Sequence, residues 1–209
     1  MYTLFGFDGS GSAAVEIALG LCNVPWRRVD AASWEPGSAL AELEQANPLR
    51  QIPTLRLPDG SVLTESAAIL IHLGLEFPAA KLLPAETGQR AQAIRGLVYI
   101  AANCYAAISV IDFPERWCAD ADDATNERIR RGARECLHRH WEIFADQFPV
   151  HPFLGGASIN SLDILAAVVS KWSGARAHLH SARPDFYATI ERIESHPAVA
   201  PVIARHWPE

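Results

Sequence analysis

Two hydrophobic rhythms divide the chain. Residues 2–7 form a short aromatic and aliphatic run suited to a strand. Asp8-Gly9-Ser10-Gly11 breaks that run with turn-forming residues. From Ser12 onward, Val15, Ala18, Leu19 and Cys22 recur at helical spacing, and Asn23, with Pro25 just beyond, marks the stop. Residues 26–30 predict a second strand, and residues 39–45 a short helix closed by Asn47-Pro48. Residues 54–57 and 61–63 predict two strands joined at Pro58-Asp59-Gly60, a tight-turn signal that makes them an antiparallel hairpin. A helix follows over residues 66–75, so the order is β-α-β-α-β-β-α.

Beyond this point the pattern is helical. A Pro-containing connector leads into a long Ala-rich helix over residues 89–111. A second long helix spans residues 126–148, with Leu137, Trp141 and Phe144 on one face. Residues 162–172 are apolar throughout, which predicts a central buried helix. Shorter helices are expected over 184–194 and 198–206. The chain therefore divides into a small α/β domain (1–77), a linker (78–86) and an all-α domain (87–209).

Composition narrows the function classes. At 209 residues the chain has room for one large domain or two small ones, and 49% hydrophobic with 20% charged residues is ordinary globular usage. Its formal net charge of −6 argues against a nucleic-acid partner, which calls for a basic face. Cys22, Cys104, Cys118 and Cys136 have neither C-x-x-C nor zinc-finger spacing and read as free thiols in a reducing compartment. The N-terminus lacks the basic and apolar regions of a signal peptide. The apolar stretches are expected to break before the ~18 residues of a membrane span. These features predict a soluble, cytoplasmic protein with no membrane partner.

The richest motif is Asn47-Pro48-Leu49-Arg50-Gln51-Ile52-Pro53-Thr54-Leu55, followed by Asp59-Gly60 and Leu63-Thr64-Glu65-Ser66. Proline cannot donate to a ladder, so Pro53 belongs at a strand start. A cis Ile52–Pro53 bond would turn the N–H and C=O of Ile52 outward, toward an extended peptide ligand. Glu65-Ser66 opens a helix, whose free N–H groups and partial positive charge suit a carboxylate. This run, N-P-x-x-Q-[IV]-P-x-L, then D-G, then L-x-E-S-x-A-I, resembles the glutathione-binding half of cytosolic, bacterial-type glutathione transferases. The resemblance extends over nearly the whole chain. It implies an α/β thioredoxin-like N-terminal domain followed by an all-α C-terminal domain. It further implies that Ile52 and Pro53 meet the cysteinyl part of glutathione, that Glu65 and Ser66 hold the γ-glutamyl end, and that Gln51 meets the glycyl end.

In that family the loop after the first strand stabilises the glutathione thiolate. A free thiol, with a pKa near ~8.5, is mostly protonated at neutral pH, and a hydroxyl donating to the sulfur favours the anion. Here Phe5 stands at the family's catalytic tyrosine position and Gly11 at the bacterial cysteine position. Ser10 and Ser12 are the hydroxyls of the loop, so a serine-type enzyme is expected, Ser10 facing the ligand and Ser12 either sharing that role or capping the helix. The same loop also fits G-x-G-x-x-A, a dinucleotide fingerprint, but an antiparallel hairpin followed only by helices is the wrong context for it.

In the helical part, Asn160 and Asp163 have the spacing of a capping box for the buried helix. The resemblance implies that Phe7, Tyr99, Asn103, Tyr105 and Trp117 shape the pocket of an apolar electrophile. His138, His140, His178 and His180 lack nearby ligand sets, so no metal is expected. The expected reaction is conjugation of the glutathione thiolate to a small-molecule electrophile, with glutathione as co-substrate, in a homodimer. A glutathione-dependent disulfide reductase or isomerase, and a non-catalytic glutathione-binding module of the same fold, remain alternatives.

Overall fold

The computed structural model describes residues 1–148 and 150–208. Its first elements are β1 (Tyr2–Gly6), α1 (Ser12–Cys22), β2 (Trp26–Asp30), α2 (Leu40–Ala46), β3 (Thr54–Arg56), β4 (Val62–Leu63) and α3 (Ser66–Glu76). This is the expected β-α-β-α-β-β-α order. The four strands form one sheet in the order β2-β1-β3-β4. β1 runs parallel to β2 and antiparallel to β3, which is antiparallel to β4. A mixed sheet of this kind excludes the dinucleotide-binding topology.

Strand periodicity explains the layering. Side chains alternate across a strand, so Leu4 enters the main core with α1 and α3, whereas Phe5 faces a separate small cluster with Ala31 and with Leu43 of α2. Asn23 closes α1 in the left-handed conformation (φ 52°), as its position after Cys22 anticipates.

The helical part comprises α4 (Thr87–Tyr99), a π-helical segment (Ile100–Tyr105), α5 (Ala106–Asp112), α6 (Asp123–Gln147), α7 (Ser161–Val169), α8 (Ala175–Ala182), α9 (Pro184–Glu194) and α10 (Ala200–His206). All nine residues of α7 are buried, and it packs against α1, α3, α4 and α9. Its capping box is complete: the Asn160 side chain accepts from the Leu162 and Asp163 N–H groups, while Asp163 accepts from the Asn160 N–H.

Several expectations need correction. The helix expected over 89–111 is interrupted by the π-helical segment, where the hydrogen-bond ladder slips. Even so, Thr87–Asp112 is a continuous helical run of 26 residues whose most apolar 18-residue window has a mean hydropathy of 1.6, longer than the expected apolar limit. Its hydropathy has a packing origin: Leu97, Ile100 and Cys104 enter the core, and Val98, Ala101 and Ala102 line a shallow groove against α3. The helix over 162–172 ends at Val169, leaving Trp172 beyond it. The short α8, entered through Gly174 at φ 77°, carries no strong apolar stripe and has no counterpart among the expected elements.

Candidate active site

The loop between β1 and α1 is organised by its alternation of serine and glycine. Beyond the end of β1 the Phe7 carbonyl has no ladder partner, and a buried carbonyl requires a donor. The Ser10 hydroxyl donates to it at 2.6 Å. Ser12 Oγ lies 2.9 Å from Ser10 Oγ and accepts from the Phe7 N–H at 3.2 Å. The Ser12 N–H donates to Ser10 Oγ at 3.2 Å. Both serines are buried. The expectation that the Ser10 hydroxyl faces a ligand is therefore corrected: the demands of the loop's own backbone turn it inward. Nor does Ser12 supply a side-chain cap to α1, whose N-cap is Gly11.

The glycines face the other way, toward the helical part. A Cβ on Gly9 (φ 71°) would lie 3.7 Å from the His206 carbonyl oxygen and 3.9 Å from Trp207 Nε1. A Cβ on Gly11 would lie 2.5 Å from the Tyr105 hydroxyl oxygen, too close to coexist with it.

Next to this loop lies the Ile52–Pro53 peptide, which is cis. The antiparallel register pairs Phe5 with Thr54, so its continuation sets Pro53 and Ile52 beside Gly6 and Phe7. Among the described residues, the backbone N–H and C=O of Ile52 are unpaired. Its neighbour Gln51 is exposed, and the Gln51 carbonyl is held by Asn47 Nδ2 (3.1 Å) and the Thr54 hydroxyl (2.8 Å). Asn47 Nδ2 also donates to Thr54 Oγ1 at 3.0 Å, which fixes the turn that presents Ile52.

The third component is the start of α3. Glu65, its N-cap, has φ 64° and ψ 111°, and no side chain caps the helix. A non-glycine residue held in so sparsely populated a region costs about 1–3 kcal/mol, and such positions cluster at ligand sites. Ser66 is buried at the helix start. The uncapped N–H groups and the helix dipole give this end the electrostatics that suit a carboxylate.

The residues expected in an electrophile pocket do not converge. Phe7 meets exposed Trp34 edge to face, 6.3 Å between ring centroids. Tyr99 is a correction: its hydroxyl donates to the His140 carbonyl of α6 at 3.1 Å and its ring packs on Phe144 and Phe148, inside the helical core. Asn103 is another, because its amide donates to the Tyr99 carbonyl at 3.0 Å and its own carbonyl lies 3.2 Å from His140 Nδ1. In both cases the polar groups meet α6. Trp117 is 61% exposed, beyond the short turn Pro114–Arg116 that follows α5. Phe7 is itself part of the loop, and from the helical part Tyr105 reaches it at Gly11.

An ionic cluster that the sequence reading missed ties the C-terminus to this loop. Glu16 is buried on α1. Its carboxylate accepts from Arg28 at 3.2 Å, lies 2.9 Å from His206 Nε2 and pairs with Arg205. Arg28 also pairs with Asp8 at 2.6 Å. Burial raises the Glu16 pKa, but hydrogen bonds and charges from His206, Arg205 and Arg28 outweigh it and leave the carboxyl below its ordinary value. The signal available in the sequence was an acid placed between Val15 and Ile17 on an otherwise apolar helix. His138 and His178 stack at 4.3 Å, and His178 lies 2.7 Å from Glu142. Among the described residues there is no group of three or more His, Cys, Asp or Glu arranged to hold a metal.

Comparison with known proteins agrees with this construction. A family profile described as "Glutathione S-transferase, N-terminal domain" matches residues 12–76, from the start of α1 through α3. The uncharacterized GST-like protein YncG of Escherichia coli (strain K12) is 26% identical over 207 residues, covering 99% of this chain and 98% of that one. A ternary complex of BphK, a bacterial GST, superimposes with a TM-score of 0.79 at 25% identity over 98% of each chain. A glutathione transferase homolog from Sulfitobacter with bound glutathione has the same fold, with a TM-score of 0.82 at 24% identity over 97% of this chain and 96% of that one. With its mixed sheet and helical second part, the chain matches the glutathione S-transferase N-terminal domain model over residues 12–76 and is similar along nearly its whole length to a bacterial GST-like protein and to a bacterial GST.

Proposed function

We propose that the protein is a glutathione transferase that joins the glutathione sulfur to an electrophilic carbon of an apolar small molecule. The observation that carries this reading is the juxtaposition of two open backbone surfaces: the unpaired Ile52 amide at the cis-Pro53 turn and the uncapped start of α3 at Glu65-Ser66. The first offers strand-like pairing to the cysteinyl unit, with Gln51 at the glycyl end. The second offers N–H groups and the Ser66 hydroxyl to the γ-glutamyl carboxylate, with the Glu65 carboxylate for its amine. A related fold holding glutathione supports the assignment.

In the reaction the thiol proton leaves to water, a C–S bond forms, and with an aryl halide the C–halogen bond breaks as halide departs. The nucleophile arrives with glutathione, so the protein supplies binding, orientation and stabilisation of the thiolate. A loop-cysteine redox mechanism has no thiol at Gly11. Serine-type stabilisation would require Ser10 or Ser12 to release its present partners and turn to the sulfur; as placed, the pair instead holds the loop in shape.

The assignment also implies a division into a glutathione-binding domain (1–77), a linker (78–86) and a helical domain (87–209), a cytoplasmic location and a homodimer. Support for the dimer comes from an open, mostly apolar groove of about 370 Å³ between the start of α3 and the end of α4 with the π-helical segment, lined by Ala67, Ala68, Ile71, Val98, Ala101 and Ala102 together with Glu65. Calorimetric titration with glutathione, together with conjugation of an activated aryl halide by wild type, Ser10→Ala and Ser12→Ala, tests the function. Binding with conjugation is expected. Binding without conjugation favours the non-catalytic module, and no binding overturns the assignment.

A further inference from the structure

Tyr105 occupies the space that a side chain at position 11 would need. Its hydroxyl oxygen would lie 2.5 Å from a Cβ there, its Cζ 3.3 Å and its Cε2 3.4 Å. The approach is to the ligand-facing loop, from the opposite half of the molecule. Three features show that it is built rather than incidental.

Tyr105 ends the π-helical segment, and such slips, which shift the facing of the residues after them, recur at functional sites. Asn103 secures the slipped turn through its bond to the Tyr99 carbonyl. The Tyr105 ring rests on Trp172 (5.8 Å), which rests on Trp207 (6.0 Å), so an aromatic wall stands against Gly9 and Gly11. Finally, the phenol has no hydrogen-bond partner among the described residues, and it is not one of the fully enclosed polar atoms that lack one. An unpartnered hydroxyl directed at a ligand loop is free to bond what the loop receives. The loop's own hydroxyls are already committed to Phe7 and to each other.

Resting on the glutathione transferase reading above, we propose that Tyr105 is the catalytic hydroxyl of this protein, donating its O–H to the glutathione sulfur and so stabilising the thiolate from the helical half. Gly11 is then glycine because Tyr105 fills its side-chain space, and Phe5 needs no hydroxyl. Burial, with smaller contributions from the negative charges of Asp112 and Glu65, pushes the phenol up to about 12, which keeps it protonated and a donor at neutral pH. The step moves no covalent bond. The thiol proton goes to water, and the phenol keeps its own proton while hydrogen-bonding the sulfur.

The test is Tyr105→Phe in the full chain. Thiolate formation in the protein–glutathione complex is followed by ultraviolet difference absorption across pH, alongside kcat and KM with an activated aryl halide. The thiol pKa in the complex is expected to rise by about one unit, which lowers the thiolate fraction, and kcat, about tenfold at a pH below that pKa. Glutathione affinity should stay within about threefold, because the tripeptide's ends are held elsewhere. Unchanged affinity with an unchanged thiol pKa overturns the role of Tyr105 while leaving the glutathione assignment intact. Failure of wild type to bind glutathione overturns both. Gly11→Ala gives a second reading: it must displace the phenol, so it should raise the thiol pKa in wild type and have no further effect on it in the Tyr105→Phe background. A full effect in both backgrounds also overturns the proposal.

Discussion

Helices α3 and α7 both start at a polar residue followed by serine, Glu65-Ser66 and Asn160-Ser161, yet the two ends are finished differently. At α7 Asn160 accepts from two N–H groups, and Asp163 accepts from Asn160 and from Leu154 at 2.8 Å. At α3 no side chain caps the end, and Glu65 sits at φ 64°. The same local chemistry thus yields a closed structural joint in one place and an uncapped helix start in the other. A helix terminus carries four orphan N–H groups, and whether the chain satisfies them itself decides which it becomes.

The largest expected effect lies at the closed end. Asp163→Ala strands the Leu154 and Asn160 N–H groups in a buried site, at ~1–3 kcal/mol for each unsatisfied group. Denaturant unfolding should show a loss of about 3 kcal/mol or more, with no change specific to glutathione. The pH dependence sharpens the contrast. Burial pushes the Asp163 carboxyl up to about 6, against the opposing pull of its backbone hydrogen bonds. A folded-state pKa above the unfolded value means that this stabilisation is complete below the ordinary aspartate range, near ~4, and is lost as pH rises through about 6. The stability gap between wild type and the non-titrating Asp163→Asn should therefore narrow between those values, by at most about 3 kcal/mol. A gap that widens would mean that the hydrogen bonds outweigh burial.

Most of this contrast was legible in the sequence. Asn160 and Asp163 have capping-box spacing, and Glu65-Ser66 follows a hairpin signal, so both helix starts were found from residue order alone. Periodicity also placed α1, β2 and the β3–β4 pair, because each has a clear stripe or turn chemistry. The facing of side chains along residues 89–111 was not legible. That stretch is Ala-rich and lacks a sharp stripe, so nothing in it marks a slip of the ladder or shows that Tyr99 and Asn103 meet α6 while Tyr105 meets the loop. Ser10 was misread for a related reason. Its orientation follows from a bare carbonyl at Phe7, a need created by the end of a strand rather than by any motif.

A smaller effect is expected at the open end. Ser66→Ala removes a hydroxyl with no hydrogen-bond partner among the described residues, so stability should change by no more than about 0.5 kcal/mol. If that hydroxyl meets the γ-glutamyl carboxylate, the KM for glutathione should rise about tenfold, the equivalent of ~1.4 kcal/mol. Steady-state kinetics beside a melting curve check both halves. Loss of stability without a change in KM would make α3 a structural joint like α7 and erase the comparison.

The effect sharpest in sign is at Glu65. Glycine adopts φ 64° without the steric penalty a side chain incurs, which relieves about 1–3 kcal/mol of strain. Glu65→Gly also enlarges the entropy of the unfolded chain, which takes back about 0.4–1 kcal/mol. The net stability change should lie between near zero and about 2.6 kcal/mol favourable, an unusual outcome for deleting a native side chain. The same substitution removes the carboxylate proposed to face the γ-glutamyl amine, so glutathione affinity should fall. Stability and binding then move in opposite directions at α3, the signature of strain maintained for a ligand. At Asn160, in the β-region conformation normal for an N-cap, replacement by glycine has no strain to relieve and should cost a few tenths of a kcal/mol without altering glutathione affinity. Parallel melting curves and glutathione titrations of the two variants would show whether the two helix starts differ in purpose or merely in finish.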